Sequence, residues 1–274
     1  FEWDVREPDT LAVAMADRHR GIGSDGLILV LPPGDPDAHA RMRMFNADGS
    51  EAEMCGNGIR CVARFLREHD LAAADILHIE TGGGRHAVQI YPNDAGTVIG
   101  ASVDMGEPRI GTAAIPHNPK ATALWDEQGL IIEVGDERLE FVAASMGNPH
   151  VIHWDDASDI ARCATVGPVV ERHVAFPERV NVHFVQVINS GHVRAWTWER
   201  GTGMTMACGS GACAIAAAGV ATGRLERAVD VDMPGGRLHL EWHADTGRIT
   251  MTGPAVTAFR GIWPATSDQV VRRP

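Results

Sequence analysis

Two short segments of this 274-residue chain place a cysteine at the start of a glycine-rich turn that leads into an apolar stretch. They are Met-Cys-Gly-Asn-Gly at 54–58 and Ala-Cys-Gly-Ser-Gly at 207–211. The first turn of a helix carries unpaired backbone N–H groups and a partial positive charge. Such a position binds anions and lowers the pKa of a thiol. Two copies predict a pair of thiols, Cys55 and Cys208, that face a common ligand.

Two such thiols could transfer a proton at a carbon centre. One thiolate would remove a proton from one face, and the other thiol would deliver a proton to the opposite face, which inverts the configuration. Each sulfur needs a pKa near the working pH, and a helix N-terminus favours this. The same N–H groups can hold a substrate carboxylate and stabilise the charge that builds on it. This chemistry needs no metal and no organic cofactor.

The residue inventory argues against the main cofactor routes. A pyridoxal phosphate enzyme needs a lysine for its Schiff base, and the only lysine, Lys120, lies in a loop-like His-Asn-Pro-Lys sequence. A glycine-rich turn can also bind phosphate, but neither copy has the Gly-Lys-Ser/Thr ending of a P-loop. The sequence contains no Cys-x-x-Cys pair, so we expect no structural zinc site.

Composition restricts the partners and the compartment. The chain is 45% hydrophobic and 22% charged, which is typical of a globular enzyme. Its formal net charge of −12 disfavours nucleic acid and anionic membranes as partners. Five cysteines do not form an even disulfide framework, so we expect a reducing, cytoplasmic location. We find no signal peptide or membrane-spanning stretch in the sequence.

Three pairs of motifs recur in the same order at nearly one spacing. Cys208 follows Cys55 by 153 positions, and the Gly-Gly-Arg triplets at 83–85 and 235–237 are 152 apart. Met-Gly-Glu-Pro at 105–108 and Met-Thr-Gly-Pro at 251–254 are 146 apart. A repeat of this kind predicts two structurally similar halves.

Each half is predicted to run through strands, the cysteine turn, a helix and further strands. The expected strands are 27–30, 41–45, 76–80, 87–90 and 98–103, then 184–187, 192–198, 229–232, 238–242 and 249–251. The first helix, 57–68, carries apolar residues over most of its circumference: Ile59, Val62, Ala63, Phe65 and Leu66. The alanine-rich second helix, 212–221, reads as buried on all sides. This order favours an α+β fold with a sheet around each helix, not a doubly wound parallel sheet.

The predicted domain boundaries follow the repeat. One domain comprises 1–104 plus 254–274 and carries Cys55, and the other comprises 105–253 and carries Cys208. The stretch 110–130 should open the second domain after a linker. The turn at 145–151 has no counterpart in the first half, so we expect an equivalent segment before Phe1.

Polar residues accompany each cysteine. Asn46 and Glu199 each lie nine residues before a cysteine, at equivalent places in the repeat. Glu199 offers a carboxylate for an ammonium group, and Arg200 offers a guanidinium for a carboxylate. The same two residues could instead form a structural ion pair.

Asn148 and Asn181 add hydrogen-bonding amides in turn-like sequences. With Glu199 and Arg200 they match an amino acid that has a second ammonium and carboxylate beyond the reacting centre. His150 fits a site role and a structural role equally well. Cys61, Cys163 and Cys213 lack the flanking turn and are expected to be structural.

Seven motifs together carry a resemblance to a known family: Arg-Gly-Ile-Gly-Ser-Asp-Gly at 20–26, Phe-Asn-Ala-Asp-Gly-Ser at 45–50, Met-Cys-Gly-Asn-Gly at 54–58, Ser-Met-Gly-Asn-Pro-His at 145–150, Glu-Arg-Val-Asn at 178–181, Glu-Arg-Gly at 199–201 and Ala-Cys-Gly-Ser-Gly-Ala at 207–212. The chain resembles diaminopimelate epimerase over essentially its whole length. The resemblance implies two pseudo-symmetric domains, each a mixed sheet around a central buried helix. It also implies a homodimer.

For function, the resemblance implies interconversion of LL- and meso-diaminopimelate, in lysine and peptidoglycan synthesis, without pyridoxal phosphate. It assigns Cys55 and Cys208 as the acid–base pair. The residues that it places against the substrate are Asn46, Gly56, Asn57, Asn148, Asn181, Glu199, Arg200, Gly209 and Ser210. The family's initial Gly-x-x-Asn-Asp-Phe segment would end at Phe1, so its substrate-contacting asparagine would precede this sequence.

Two other functions stay open at this point. One is a different cofactor-independent amino-acid racemase, such as a relative of proline racemase, although the polar set favours a substrate with two amino-acid heads. The other is a non-catalytic binding protein or thiol–disulfide switch that uses Cys55 and Cys208.

Overall fold

The computed structural model describes residues 3–124, 128–264 and 270–272. In chain order, its strands are β1 (Trp3–Val5), β2 (Gly26–Leu31), β3 (Ala40–Asn46), β4 (Glu51–Ala52), β5 (Ile76–Thr81), β6 (Gly84–Pro92), β7 (Val98–Asp104), β8 (Arg109–Ile110), β9 (Ala123–Leu124), β10 (Gly129–Val134), β11 (Glu137–Ser145), β12 (Pro149–Trp154), β13 (Asn181–Asn189), β14 (His192–Glu199), β15 (Gly203–Thr205), β16 (Ala228–Met233), β17 (Gly236–Trp242), β18 (Ile249–Pro254) and β19 (Val270–Arg272). The α-helices are α1 (Pro8–Ala16), α2 (Gly56–Glu68), α3 (Ile160–Glu171) and α4 (Gly209–Ala221), and Thr112–Ala114 form a 3-10 helix.

The chain divides into two compact units. The first holds the described residues up to Val103 and from Pro254 onward, and the second is Asp104–Gly253. In the first unit β3 pairs with β2 and β4 antiparallel and with β5 parallel. Strands β5, β6 and β7 continue antiparallel, and β1 pairs with β19. The sheet is therefore mixed, and α2 packs on β3, β5 and β6.

Helix α2 is buried on one side only. Ile59, Val62, Ala63 and Leu66 recur at helical spacing and are buried. Phe65 lies outside their arc, is 41% exposed, and packs its ring on His69 at 4.2 Å between centroids. Phe65 is therefore the one apolar residue of the predicted set that the fold does not bury.

The second unit repeats the same arrangement around α4. Strand β14 pairs with β13 and β15 antiparallel and with β16 parallel, and β16, β17 and β18 continue antiparallel. Most residues of α4 are small, which allows neighbouring strands to approach it closely. Residues Ala212–Ala218 of this helix are all buried. A second core lies under α3, where Val166 and Val170 meet Phe141 and Phe184.

The predicted repeat is confirmed element by element. Strands β2 to β7 and helix α2 correspond in order and pairing to β13 to β18 and helix α4. The α+β class, with a mixed sheet and a central helix in each half, is confirmed as well. The strand predicted at 184–187 begins earlier, at Asn181, so this residue lies in a strand and not in a turn.

The stretch 110–130, predicted to open the second domain, pairs with strands of the second unit. Strand β8 pairs with β11, and β9 pairs with β10, so residues from Arg109 onward already belong to the sheet of the second unit. Residues 125–127 of this stretch lie outside the described residues. Within the described ranges, we find no helix with the length and apolar character needed to cross a membrane.

Candidate functional site

In the first unit, Cys55 is the N-cap of α2. Its backbone is extended, and its Sγ accepts the Gly58 N–H at 3.3 Å. A backbone N–H aimed at the sulfur at a helix N-terminus stabilises negative charge on it. The predicted turn thus has the geometry that the sequence suggested.

A buried arginine orients the residues that follow Cys55. Arg60 is 4% exposed and donates to Gly56 O at 2.9 Å, Asn57 Oδ1 at 3.1 Å and Pro254 O at 3.3 Å. The Asn57 amide is therefore fixed by a charged donor. The sequence carries no local signal for this role of Arg60, because its position on the helix resembles that of an ordinary surface arginine.

Asn46 ends β3, as Glu199 ends β14, so their predicted equivalence is confirmed. The Asn46 side chain donates to Ser50 Oγ at 3.0 Å, and the Asn46 N–H donates to Ser50 O at 2.8 Å. These bonds close the turn between β3 and β4.

In the second unit, Cys208 is the N-cap of α4 and is 4% exposed. Burial raises the pKa of its thiol strongly, and the negative charge of Glu199 raises it further. Hydrogen bonds from Ser210 and the Gly211 N–H oppose this rise but do not outweigh it. The helix N-terminus therefore lowers the Cys208 pKa through the Gly211 N–H, as expected, but the desolvation cost of a buried thiolate is larger and the net pKa is raised.

Glu199 lies beside this thiol and hydrogen-bonds to it. Thr205 Oγ1 donates to Glu199 Oε1 at 2.6 Å across the β14–β15 pair. A hydroxyl therefore holds the carboxylate at the sulfur.

A line of hydrogen bonds leads away from Cys208 into the core. Cys208 Sγ lies 3.7 Å from Ser210 Oγ, and Asn148 Nδ2 donates to Ser210 Oγ at 3.3 Å. Asn148 Oδ1 lies 2.9 Å from Nε2 of His150. His150 Nδ1 lies 2.9 Å from His183 Nε2.

The line ends where His183 Nδ1 lies 2.9 Å from Thr197 Oγ1. Both histidines have no exposed surface. Burial lowers the pKa of His183 to about 3. Burial, the neighbouring His183 and Arg200 hold the pKa of His150 well below its ordinary value. Both imidazoles are therefore neutral at physiological pH.

Arg200 lines a cavity of about 520 Å³ in the second unit, and Asn181 lies directly beside it, in contact with Arg200. Asn181 Nδ2 donates to Pro149 O, and its Oδ1 accepts the Arg200 N–H, both at 2.9 Å. The Arg200 guanidinium donates to Glu178 O at 3.3 Å. The cavity is lined by Arg109, Ala113, Ala114, Ile115, Pro116, Ser145, Gly147, Pro149, Glu178 and Arg200.

A buried carboxylate supports the turn that carries Glu199 and Arg200. Glu171 is 1% exposed and accepts Trp198 Nε1 at 3.0 Å and the Gly201 N–H at 2.8 Å. Burial alone would raise the Glu171 pKa, but these bonds and the charges of Arg172 and Arg179 bring it below its usual value.

The structure places six predicted residues in the second unit in two hydrogen-bonded groups: Asn148, Glu199, Cys208 and Ser210 form one, and Asn181 and Arg200 form the other. Gly209 begins α4 beside them. Asn46, Cys55, Gly56 and Asn57 lie in the first unit. Four further residues of the second unit line the cavity or support the site and were not predicted from the sequence: Arg109, Glu171, His183 and Thr197.

No disulfide involves any of the five cysteines. Across residues 3–124, 128–264 and 270–272, no cluster of three or more His, Cys, Asp or Glu side chains could hold a metal ion.

Comparison with known proteins shows the family of this chain. The family model described as diaminopimelate epimerase matches residues 2–111 and 142–258. The diaminopimelate epimerase of Desulfovibrio desulfuricans is 44% identical over 264 residues, which are 95% of this chain and 91% of the relative. That of Moorella thermoacetica is 47% identical over 254 residues, which are 93% and 89%.

Solved structures show the same fold at low identity. A probable proline racemase from Agrobacterium radiobacter aligns with a TM-score of 0.64 at 18% identity, covering 95% of this chain and 85% of that one. A PhzF-family phenazine biosynthesis protein from Bacillus anthracis gives 0.62 at 19%, covering 92% and 88%. On the sequence matches, this chain belongs to the diaminopimelate epimerase family.

Proposed function

We propose that this chain interconverts LL- and meso-2,6-diaminopimelate by two-base proton transfer, with Cys55 and Cys208 as acid and base and with no cofactor. The observation that carries the proposal is the thiol at the N-cap of α2 and again of α4, in a chain 44–47% identical to curated diaminopimelate epimerases. Lysine and peptidoglycan synthesis are the processes that consume the product.

The chemistry balances without an external reactant. One thiolate takes the α-proton, and the electron pair of the C–H bond passes into the neighbouring carboxylate. The other thiol gives its proton to the opposite face of the same carbon. The two sulfurs end with exchanged protonation states, and exchange with water restores them. Helix N–H groups stabilise the charge on the substrate carboxylate during transfer.

Cys208 is suited to be the proton donor in the resting protein. Its burial and the adjacent Glu199 charge raise the thiol pKa, so the sulfur carries its proton before substrate binds. In the reverse direction Cys208 must lose that proton. Glu199 is the group in hydrogen-bond contact that can accept it.

The second amino-acid head of the substrate fits the cavity in the second unit. Arg109 and Arg200 supply guanidinium groups, and Glu178 supplies a carboxylate. This set suits one carboxylate and one ammonium group. Beside the cavity, Asn148 donates to Ser210 Oγ, and Asn181 bonds to Pro149 O and to the Arg200 N–H. Glu199 can bind an ammonium group of the substrate as well as the Cys208 sulfur.

We assign residues 1–104 plus 254–274 and residues 105–253 as the two catalytic domains of a cytoplasmic homodimer. The division into compact units near these boundaries supports the domains, and the family resemblance supports the dimer. The net charge of −12 supports a small-molecule substrate over nucleic acid or an anionic membrane.

The test is proton exchange with solvent. Reduced protein is incubated in D2O with LL-diaminopimelate and, separately, with L-proline. We expect deuterium at one α-carbon of diaminopimelate together with formation of the meso isomer. Exchange in proline alone would instead identify a proline racemase. No exchange with either substrate would favour a binding protein or a thiol switch.

A further inference from the structure

The hydrogen bonds between Thr197 and Cys208 form a chain that has a direction. A neutral imidazole donates from one nitrogen and accepts at the other. The Asn148 amide presents Nδ2 to Ser210 and Oδ1 to His150, so His150 must donate from Nε2. Its Nδ1 is then an acceptor, and His183 must donate from Nε2.

The two ends of the chain follow from this. His183 Nδ1 is left as an acceptor for the Thr197 hydroxyl. Ser210 Oγ already accepts from Asn148, so its own proton is available to the Cys208 sulfur 3.7 Å away. Each donor in the line therefore points toward Cys208.

We propose that His183 is a positioning residue for Cys208, which acts through His150 and Asn148 to aim the Ser210 hydroxyl at the sulfur. The proposal rests on the proposed proton-transfer role of Cys208. A hydroxyl that donates to the sulfur favours the thiolate over the thiol, and so counteracts the opposing effects of burial and of Glu199.

The same chain has one other self-consistent orientation, in which every donor is reversed and Thr197 Oγ1 accepts from His183 Nδ1. If His150 protonates at Nδ1 instead, its Nε2 becomes an acceptor and the Asn148 amide turns over. The amide oxygen would then face Ser210 and draw the hydroxyl proton away from the sulfur. The structure has the first orientation, with Asn148 Nδ2 toward Ser210, and in it His183 supplies the Nε2–H that makes His150 Nδ1 an acceptor. Without that N–H, His150 can take either tautomer.

The charged groups around the chain are consistent with neutral imidazoles throughout. Arg200 faces His150 and opposes its protonation, and Glu199 faces the thiol. Gly211 makes room for the ring, because a Cβ at this position would lie 2.4 Å from His183 Cε1.

The first test needs no substitution and no substrate. Nitrogen-15 NMR of histidine-labelled protein distinguishes the two tautomers of each imidazole. We expect His150 and His183 both to carry their proton on Nε2 at neutral pH. A proton on Nδ1 of either ring would overturn the proposal.

The second test measures the Cys208 thiolate by its rate of alkylation with iodoacetamide, resolved by peptide mass spectrometry at pH 8–9. For His183→Phe we expect alkylation to slow about tenfold, the effect of one lost hydrogen bond to a charged group. His183→Gln keeps an N–H donor near the Nε2 position and should restore most of the rate.

Two further variants separate positioning from general damage. His153→Phe removes a buried histidine of β12 that bonds to Glu140 O and not to the chain, and should leave the rate unchanged. Ser210→Ala should slow alkylation as much as His183→Phe, and the double variant no further. Additive losses, or an unchanged rate in His183→Phe, would overturn the proposal. These readouts need no turnover, so they remain valid if the protein does not epimerise diaminopimelate.

Discussion

The side-chain amide of Asn181 holds the backbone of Arg200. Asn181 Oδ1 accepts the Arg200 N–H at 2.9 Å, while its Nδ2 donates to Pro149 O at the same distance. Asn181 is 3% exposed, its bond to Pro149 O is buried, and its bond to the Arg200 N–H is partly buried. One buried amide therefore joins two sides of the cavity that Arg200 and Pro149 line.

Asn181→Ala should weaken substrate binding more than the chemical step. The substitution leaves a partly buried N–H and a buried carbonyl without this partner, which costs about 1–3 kcal/mol of unfolding free energy. Displacement of Arg200 should lower kcat/KM roughly tenfold to a hundredfold, mainly through KM. Steady-state kinetics and urea unfolding measure the two effects.

Asn189→Ala is the matched control on the same strand. Asn189 also accepts a backbone N–H, from Gly191 at 2.9 Å, but it is exposed and far along β13 from the cavity. Its kinetic constants should equal those of the parent protein. If Asn181→Ala behaves like this control, the amide does not position Arg200.

Replacing either proposed acid–base cysteine should abolish epimerisation. For Cys55→Ala and for Cys208→Ala we expect kcat to fall by about 10³-fold or more, since each variant lacks the thiol proposed to transfer the proton at its face. Cys213→Ala lies in the same helix as Cys208 and should retain full activity. Full activity in either of the first two variants would exclude the two-thiol mechanism.

Stability should fall as the pH drops below about 6.5, the ordinary histidine value. His150 and His183 stay neutral when folded but take up protons when unfolded, so the unfolded state binds more protons in this range. Each contributes a loss of up to about 1.4 kcal/mol per pH unit, which for His183 continues down to its folded pKa of about 3.

Urea unfolding at several pH values between 7.5 and 4.5 measures this slope. His173, whose pKa burial also lowers, adds to the slope with the same sign. Asp232 has a pKa of about 2 and affects stability only below its ordinary value of 3.8, outside this window. In His183→Phe the slope should be smaller by about 1.4 kcal/mol per unit, and an unchanged slope would contradict the assignment.

The fold was predictable because two independent signals agree. The repeat predicts two similar halves, and the hydrophobic periodicity predicts the same strands and helix in each half. Alternation along 192–198 and the apolar run 212–221 each mark one element without ambiguity. Local motifs likewise predicted that the two cysteines lie at helix N-caps, because N-cap geometry depends only on residues within one turn.

Contacts between distant strands were not predictable. His183 lies in a strand whose first five residues, Asn181–Val185, are all buried, so alternation carries no signal there. Glu171 reads as an ordinary helix residue until Trp198 and Gly201 fold onto it. The raised pKa of Cys208 results mainly from burial of the thiol, and burial cannot be predicted from a local motif.

Gly58 and Gly211 occupy the same place in the two cysteine motifs, yet their surroundings differ. A Cβ at Gly58 would lie 2.5 Å from Ile28 Cδ1, the end of a flexible side chain. A Cβ at Gly211 would lie 2.4 Å from His183 Cε1 and 3.1 Å from Cys208 Sγ. The His183 ring is held on both sides by hydrogen bonds and cannot move as readily.

Gly211→Ala should therefore destabilise the protein more than Gly58→Ala does. Helix propensity alone would make both substitutions favourable by about 1 kcal/mol. A decrease in the unfolding free energy would therefore show that a steric clash of the added Cβ outweighs the gain in propensity. We expect a net loss of about 1–3 kcal/mol for Gly211→Ala and a value nearer zero for Gly58→Ala, by thermal or urea unfolding. Gly211→Ala should also slow Cys208 alkylation, because displacement of His183 breaks the chain to Ser210. Equal stability of the two variants would show that the His183 ring is not fixed in place.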